Sequence, residues 1–206
     1  MLALISQGCT LGFTAGMSPG PLQTYLIQTT LTQGWRRSLV LVLSPMLCDI
    51  PVIIVTVLIL AQIPADFVRL IQIVGGLFIL YLARGAWQSF RAGVVIGAGG
   101  EPLLMTTRQI LIRAVLVNWL SPGPYIFWST VNGPLFIQGM HESALHGLAF
   151  LVAFYGTFMV ILVLFILVFN RVRTLDPRIT RGLLLFLTVL LVVFGLSLIG
   201  HGVGII

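Results

Sequence analysis

Long uncharged runs of apolar residues alternate with short charged segments along the chain. A charged side chain at the centre of a bilayer costs roughly 2.5 to 3.5 kcal/mol on insertion scales, so each uncharged run is a candidate membrane helix. Such a helix needs about 20 apolar residues to cross the hydrocarbon core. The pattern predicts six spans, at about residues 2–32, 39–61, 67–90, 109–136, 145–169 and 182–200.

The composition agrees with this interpretation. Of the 206 residues, 58% are hydrophobic and 8% are charged, whereas about a quarter of the residues of an ordinary soluble domain are charged. A water-soluble globular protein is therefore excluded. Because six spans of about 20 residues occupy most of the chain, we expect one all-α, polytopic transmembrane domain over residues 1–206, surrounded by a lipid bilayer.

All eleven basic residues are arginines, and their distribution predicts the orientation of the spans. Ten of them lie in or beside the first, third and fifth loops, and only Arg69 lies on the opposite side. Since basic residues are in excess in cytoplasmic loops, these loops are expected in the cytoplasm and both termini outside, in a bacterial-type inner membrane. The formal charge of +6 is spread between apolar runs and forms no basic face, so no nucleic-acid partner is expected.

A tetrapeptide in the first predicted span recurs in the fourth. Ser18-Pro19-Gly20-Pro21 and Ser121-Pro122-Gly123-Pro124 are identical and lie 103 residues apart. Further along each half, Gln33-Gly34 and Gln138-Gly139 match at a separation of 105 residues. The two halves therefore resemble diverged copies of one unit.

These matches indicate two three-helix repeats, at about residues 1–92 and 101–206, joined by a glycine-rich linker at about 93–100. Three spans separate equivalent positions. Because three is an odd number, the second copy must cross the membrane in the opposite sense. The sequence therefore predicts an inverted repeat.

Each S-P-G-P segment is expected to break its helix. Two prolines in four residues remove two backbone donors, and each ring clashes with the carbonyl four residues earlier. The half-helix after each break would present free N–H groups and a positive dipole end, which suit a carboxylate. Broken helices at corresponding positions of inverted repeats are typical of the binding site of a secondary transporter. The alternative is a pair of proline kinks that serve only packing.

Asp49 lies about ten residues into the second span, near the middle of the bilayer. An ionisable residue at that depth indicates function, and its carboxylate can bind a substrate ammonium group or exchange a proton. The alternative is a structural pair with Arg84, whose long side chain can also reach the cytoplasmic interface. Tyr155 roughly corresponds to Asp49 in the second repeat, so that half lacks the carboxylate. A single negative charge at depth favours a neutral substrate over a dibasic one.

Polar and aromatic side chains surround both predicted breaks. After the second break they recur at helical spacing on one face, which favours a cavity lining. Hydrogen bonding between helices is the alternative role. The expected substrate-binding residues are Ser18, Pro19, Gly20, Pro21, Gln23, Asn118, Ser121, Pro122, Gly123, Pro124, Tyr125 and Trp128, and the expected coupling residues are Asp49 and Arg84. The cysteines and histidines show no metal-ligand spacing, so no metal site and no cofactor are expected.

The pattern Phe13-x-x-Gly16-x-Ser18-Pro19-Gly20-Pro21, followed by a turn at Gly34 and an intramembrane Asp49, resembles the LysE/RhtB family of amino-acid exporters. The third span is similar to that family's glycine and Tyr-Leu helix through Gly75, Gly76, Tyr81-Leu82 and Gly85. The resemblance implies efflux of small amino acids or related metabolites. It also implies coupling to an ion gradient, with the proton as the expected ion.

The chain departs from the family pattern at two places. Cys48-Asp49 stands where the family usually has Gly-Asp, and Ser121-Pro122-Gly123 stands where it usually has Asn-Pro-Lys. A role that depends on that lysine therefore does not transfer to this chain. Gly75 and Gly76 of the third span, with Gly195 and Ser197 of the sixth, permit close helix approach either within the chain or in a homodimer.

Two other classes of membrane protein are alternatives to a secondary exporter. A passive channel is expected to show polar rings or hydrophobic gates contributed by several helices, which the sequence neither shows nor excludes. An integral-membrane enzyme usually needs clustered acids, histidines or a metal site. One buried carboxylate is too few for that chemistry, so the sequence favours the exporter.

Overall fold

The computed structural model describes residues 1–18, 20–58, 65–91, 105–173 and 177–204, which form helices and no strands. The helices are α1 (Leu2–Met17), α2 (Pro21–Gln33), α3 (Trp35–Ser38), α4 (Ser44–Leu58), α5 (Ala65–Arg91), α6 (Thr107–Trp119), α7 (Pro122–Phe127), α8 (Gly133–Glu142), α9 (Ala144–Arg173) and α10 (Pro177–Val203). A 3₁₀ segment (Leu39–Leu43) joins α3 to α4, and a π-helical segment (Trp128–Asn132) joins α7 to α8. The predicted glycine-rich linker lies outside the described residues.

Several of these helices are long and apolar enough to cross a bilayer. Within the described residues they are Trp35–Ile54, Ala144–Val172 and Arg178–Val203. A bent pair, Thr107–Trp119 with Pro122–Glu142, is a fourth candidate, with a change of direction of 57° at its break. The prediction of an all-α chain with several membrane helices is thus confirmed, and the count of six spans stays a prediction.

The first S-P-G-P segment lies between two helices. Helix α1 ends at Met17, and Ser18 and Gly20 have extended backbones. Pro21 takes the first position of α2. At that position a missing N–H removes no intrahelical hydrogen bond, and the fixed φ angle of proline suits the helix.

The second copy of the tetrapeptide starts its helix earlier. Helix α6 ends at Trp119, Ser121 is extended, and Pro122 takes the first position of α7. Pro124 then lies in the first turn of α7, where the N–H it lacks would have had no intrahelical partner. The same four residues are therefore compatible with two different helix starts.

The helices pack in pairs. Helix α1 packs extensively along α9, α5 along α10, and α4 against α6. A Cβ atom at Gly76 would lie 2.6 Å from the carbonyl oxygen of Gly195, so this pair of glycines lets α5 and α10 approach closely,. The close approach that the sequence predicts for these glycines therefore occurs within one chain.

Helix α2 is buried along most of its length although it carries many polar residues. Two of its threonine hydroxyls donate to the backbone carbonyl four residues earlier, Thr24 to that of Gly20 and Thr30 to that of Leu26. This local bonding lets the hydroxyls lie inside the protein without partners from other helices. Around α2 lies the main apolar core, which α4, α6, α9 and the π segment complete.

Candidate functional site

A cavity of about 330 Å³ lies between the two chain breaks. Helices α1, α2, α4, α6, α7 and α9 form its walls, so both halves of the chain contribute to it. Its volume is near the lower end of the range of small-molecule sites. The residues of the S-P-G-P segments that line it are Ser18, Gly20, Pro21, Ser121, Gly123 and Pro124.

Asp49 of α4 lies in the wall of this cavity and is only 5% exposed. The hydroxyl of Tyr155 donates a hydrogen bond to its Oδ2 atom at 3.0 Å. The side chain of Trp128 lies close to the same carboxylate. Hydrogen bonds to a charged acceptor are roughly twice as strong as neutral ones. The carboxylate from the first half is therefore held in place by a donor from the second half.

The backbone next to Asp49 is fixed by α6. Trp119 Nε1 donates a hydrogen bond to the carbonyl of Cys48 at 3.0 Å. The Cys48 thiol in turn donates to the carbonyl of Val115, with an S···O distance of 3.6 Å. Cys48, which is fully buried, thus packs between α4 and α6 and holds the neighbouring carboxylate at the cavity.

One side chain after each break bonds to the carbonyl end of the preceding helix. Gln23 Nε2 donates to the carbonyl of Ala15 at 2.9 Å, and the hydroxyl of Tyr125 donates to the carbonyl of Trp119 at 3.0 Å. The last carbonyls of a helix lack intrahelical partners, and at membrane depth they need partners within the protein. Gln23 and Tyr125 therefore stabilise the two breaks in a similar way.

Most of the predicted site residues meet at the cavity. Pro122 and Tyr125 belong to α7 but do not line it, and Pro19 lies outside the described residues. For Tyr125, a hydrogen bond between chain segments is therefore the observed role. Besides the residues of the breaks, the predicted residues that do line the cavity are Gln23, Asn118, Trp128 and Asp49.

Arg84 lies apart from this cavity. Its side chain is exposed on α5 and lines a separate groove of about 470 Å³ together with residues of α10 such as Thr188. Helix α5 packs along α10. Arg84 therefore lies in the groove between these two helices, whereas Asp49 lies in the wall of the cavity. In the described part of the chain, the geometry therefore gives no support to a pair between Arg84 and Asp49.

An aromatic wall of the cavity was not predicted from the sequence. Phe154 and Phe158 of α9 and Phe127 of α7 form it. The rings of Phe154 and Phe158 have centroids 5.9 Å apart, and the centroid of Phe127 lies 6.1 Å from that of Phe154. The spacing of four residues indicates a shared helix face. Because α9 is apolar on all sides, the sequence alone could not show that this face points inward.

The π-helical segment lies directly after the cavity. A turn closed by i→i+5 hydrogen bonds holds one residue more than an α-helical turn, and such turns are frequent at functional sites. The matching tetrapeptides lie 103 residues apart and the matching Gln-Gly pairs 105 residues apart. The π segment begins at Trp128 and lies between these two matches in the second half of the chain.

Two buried amides lie beyond the cavity, one on each half. Gln28 of α2 is 8% exposed, and Asn132 at the end of the π segment is fully buried. Oε1 of Gln28 and both amide atoms of Asn132 have no hydrogen-bond partner among the described residues. Their separation of 104 residues lies between those of the matching tetrapeptides and the matching Gln-Gly pairs. Buried amides without partners are rare in a packed interior, so these positions differ from ordinary core.

The described lining of the cavity carries a single negative charge. Among the described residues that line it, Asp49 alone has a charged side chain. In the described part of the chain, no group of three or more histidine, cysteine and acidic residues could hold a metal ion. The cavity therefore offers one negative charge, two hydroxyls beside the breaks and an aromatic wall.

Comparison with protein-family models matches residues 13–202 to the LysE type translocator family. The match covers most of the chain and includes every residue that lines the cavity. No curated protein and no solved structure matches the chain significantly. The family match confirms the resemblance of the N-terminal motif. The chain thus belongs to the LysE type translocator family of membrane transport proteins, which export amino acids or similar small molecules.

Proposed function

We propose that this protein is a secondary-active exporter of neutral amino acids, driven by a proton gradient and working by alternating access. The observation that carries the proposal is the position of Asp49, a buried carboxylate in a cavity where both chain breaks meet. Ionisable residues at membrane depth are typical of substrate and proton pathways. Broken helices that face each other across two repeats are typical of a transporter's central site.

The ammonium group of the substrate binds Asp49 in this proposal. Tyr155 donates a hydrogen bond to the carboxylate and Trp128 lies close to it, but neither carries a positive charge. An ammonium group would supply the missing cation and form a charge-assisted hydrogen bond. This arrangement supports recognition of a primary amine at Asp49.

The substrate carboxylate binds at the N-terminus of α2. Leu22 and Gln23 lie in its first turn, where backbone N–H groups have no intrahelical partner and the helix dipole is positive. In α7, Pro122 and Pro124 both lack an N–H, so that terminus offers fewer donors. Ser18 adds a hydroxyl beside the α2 terminus in the cavity. These features favour the α2 end over the α7 end.

Neutral substrates follow from the charge of the site. A zwitterionic amino acid needs one negative and one positive partner, and Asp49 with the α2 terminus provides them. A dibasic amino acid brings a second cation, which would lose its water without a second carboxylate to replace it. The described lining holds only one carboxylate. The site therefore suits a neutral amino acid better than lysine or arginine.

Proton coupling follows from competition at the same oxygen atoms. Asp49 with a bound proton is neutral and no longer attracts an ammonium group, whereas the ionised carboxylate does. Substrate and proton therefore occupy the site in turn. An exporter that releases its substrate outside and returns with a proton would exchange one for the other in each cycle.

The packing of the helices supports an inverted repeat that rocks during transport. Exchanging the two repeats converts the pair α1 and α9 into the pair α6 and α4, and both pairs are in contact. The pair α5 and α10 is converted into itself. In the proposed arrangement the six spans have both termini outside and arginine-rich loops in the cytoplasm of an inner membrane. The Asp49 site then lies at the boundary of the two moving units.

Counterflow in proteoliposomes tests the proposal. Purified protein is reconstituted into vesicles that contain one unlabelled amino acid, and uptake of the same amino acid in radiolabelled form is measured. The assay is repeated for a panel of neutral and dibasic amino acids. We expect saturable, transient accumulation of a neutral amino acid. A channel would equilibrate the label without accumulation, and an enzyme would convert it chemically. Preferred exchange of lysine or arginine would contradict the neutral substrate, and absence of counterflow for the whole panel would contradict the exporter.

A further inference from the structure

We propose that the exported amino acid has an apolar side chain, between valine and phenylalanine in size, that packs against the phenylalanine wall formed by Phe127, Phe154 and Phe158. This inference rests on the proposed function, because it assigns the class of side chain at the same site. The wall belongs to both α7 and α9 and lines the cavity beside Asp49. An amino group held at Asp49 therefore lies next to an aromatic surface.

Two polar side chains of the lining already donate to groups within the protein. Gln23 Nε2 donates to the carbonyl of Ala15, and the hydroxyl of Thr14 donates to the carbonyl of Thr10 at 2.8 Å. The first bond links α2 to α1, and the second lies within α1. These two donors therefore offer little to a hydroxyl or amide on a substrate side chain.

The two serines of the breaks lie beside different helix N-termini. Ser18 lies beside that of α2, where the substrate carboxylate binds, and Ser121 beside that of α7. Once the ammonium and carboxylate groups of the substrate are placed, the larger part of the remaining surface is apolar and consists of the wall with Ala15, Leu22 and Val117. A polar substrate side chain would lose its hydrogen bonds to water there without a replacement.

The size of the cavity limits the substrate to one amino acid. Its volume of about 330 Å³ is near the lower end of the range for small-molecule sites. Apolar sites discriminate a methyl group from a hydroxyl group of similar shape by up to about 100-fold. We therefore expect a preference of about 10- to 100-fold for apolar over polar amino acids of similar shape.

Competition between matched amino acids tests this inference. Valine with threonine and leucine with asparagine are pairs of similar shape. Full-length protein in proteoliposomes is assayed for counterflow of radiolabelled leucine and, separately, radiolabelled threonine, each with the four unlabelled competitors. The apolar member of each pair is expected to compete at about 10- to 100-fold lower concentration. Equal potency within the pairs, or stronger competition by the polar members, would overturn the inference while leaving the exporter intact.

Variants of Phe158 connect the preference to the wall. Phe158→Thr is expected to reduce the ratio between valine and threonine, whereas Phe158→Leu keeps the wall apolar and should retain it. If Phe158→Thr does not fold, the wild-type ratios decide the question by themselves. An unchanged ratio in folded Phe158→Thr would contradict the contact. Absence of counterflow for every amino acid would instead contradict the proposed function and this inference with it.

Discussion

The hydroxyl of Tyr155 on α9 donates a hydrogen bond to Oδ2 of Asp49 on α4 at 3.0 Å. The two residues lie 106 positions apart, close to the separations of 103 and 105 between the matching tetrapeptides and Gln-Gly pairs. The contact joins the first and second halves of the chain at one carboxylate. Any relative movement of α4 and α9 must change it.

Removing the Tyr155 hydroxyl should weaken substrate binding without unfolding the protein. In Tyr155→Phe the ring can still pack against Trp128 and Phe154, whose centroids lie 6.5 Å and 5.0 Å away. A hydrogen bond to a charged group contributes about 1.5 to 3 kcal/mol, so we expect the KM of counterflow to rise about tenfold or more. Tyr81→Phe, on an exposed tyrosine of α5, is the matched control and should leave the KM unchanged. An unchanged KM in Tyr155→Phe would show that the hydroxyl does not position Asp49.

The buried amide of Asn132 has no hydrogen-bond partner among the described residues, so it should lower the stability of the fold and take part in transport. Replacing it with leucine removes this buried polar group, which is expected to stabilise the fold by about 1 to 3 kcal/mol. For a chain of this size each kcal/mol raises the melting temperature by about 2 to 4 °C. We expect Asn132→Leu to melt at a higher temperature and to exchange substrate more slowly, because the amide is then missing when the cavity opens past it.

The melting temperature is measured on purified protein in detergent, and the rate of substrate exchange is measured in proteoliposomes. The exposed Gln138 of α8 provides the control variant Gln138→Leu, which should change neither property. A lower melting temperature in Asn132→Leu together with unchanged exchange would mean that Asn132 is an ordinary structural residue.

The contact between α5 and α10 should depend on Gly76. A Cβ atom there would lie 2.6 Å from both the carbonyl oxygen of Gly195 and Cγ1 of Ile199. We expect Gly76→Ala to destabilise the protein by about 1 to 3 kcal/mol, the usual cost of overpacking. Gly85→Ala on the same helix meets nothing within 4 Å and should be neutral or gain up to about 1 kcal/mol from helix propensity. Equal thermal stability of the two variants would mean that α5 and α10 are further apart.

Arg84 is expected to be dispensable for substrate exchange. It is exposed in a groove between α5 and α10 and does not line the cavity that contains Asp49. Arg84→Gln should therefore keep the wild-type KM and maximal rate of counterflow. A loss of exchange as large as that of an Asp49 variant would contradict this prediction and support a pair between Arg84 and Asp49.

The part of the site that local chemistry determines could be predicted from the sequence. The prolines of the S-P-G-P segments fix where α2 and α7 begin, and a carboxylate in an apolar run marks the membrane interior. The cavity brings these features together. The membrane class and the family were predicted for the same reason, since both depend on short motifs and on uncharged runs.

The part that depends on packing between distant helices could not be predicted. Phe154 and Tyr155 are adjacent on α9, and the contacts of α9 with its neighbours, such as α1, α8 and α2, decide which ring faces the cavity. The position of Arg84 depends on the pairing of α5 with α10, which side-chain length alone could not determine. The π segment depends on one extra residue within a helix, which no residue type marks.

In the proposed mechanism, Asp49 binds the substrate ammonium group and the coupling proton in turn. Counterflow and proton-driven export of a neutral amino acid should be measured in proteoliposomes for wild type, Asp49→Asn and Glu142→Gln. Glu142 is an exposed acidic residue next to His146 and provides the control for loss of one negative charge. We expect Glu142→Gln to behave as wild type, while Asp49→Asn loses exchange or no longer responds to the proton gradient. Proton-driven export at the wild-type rate by Asp49→Asn would contradict it.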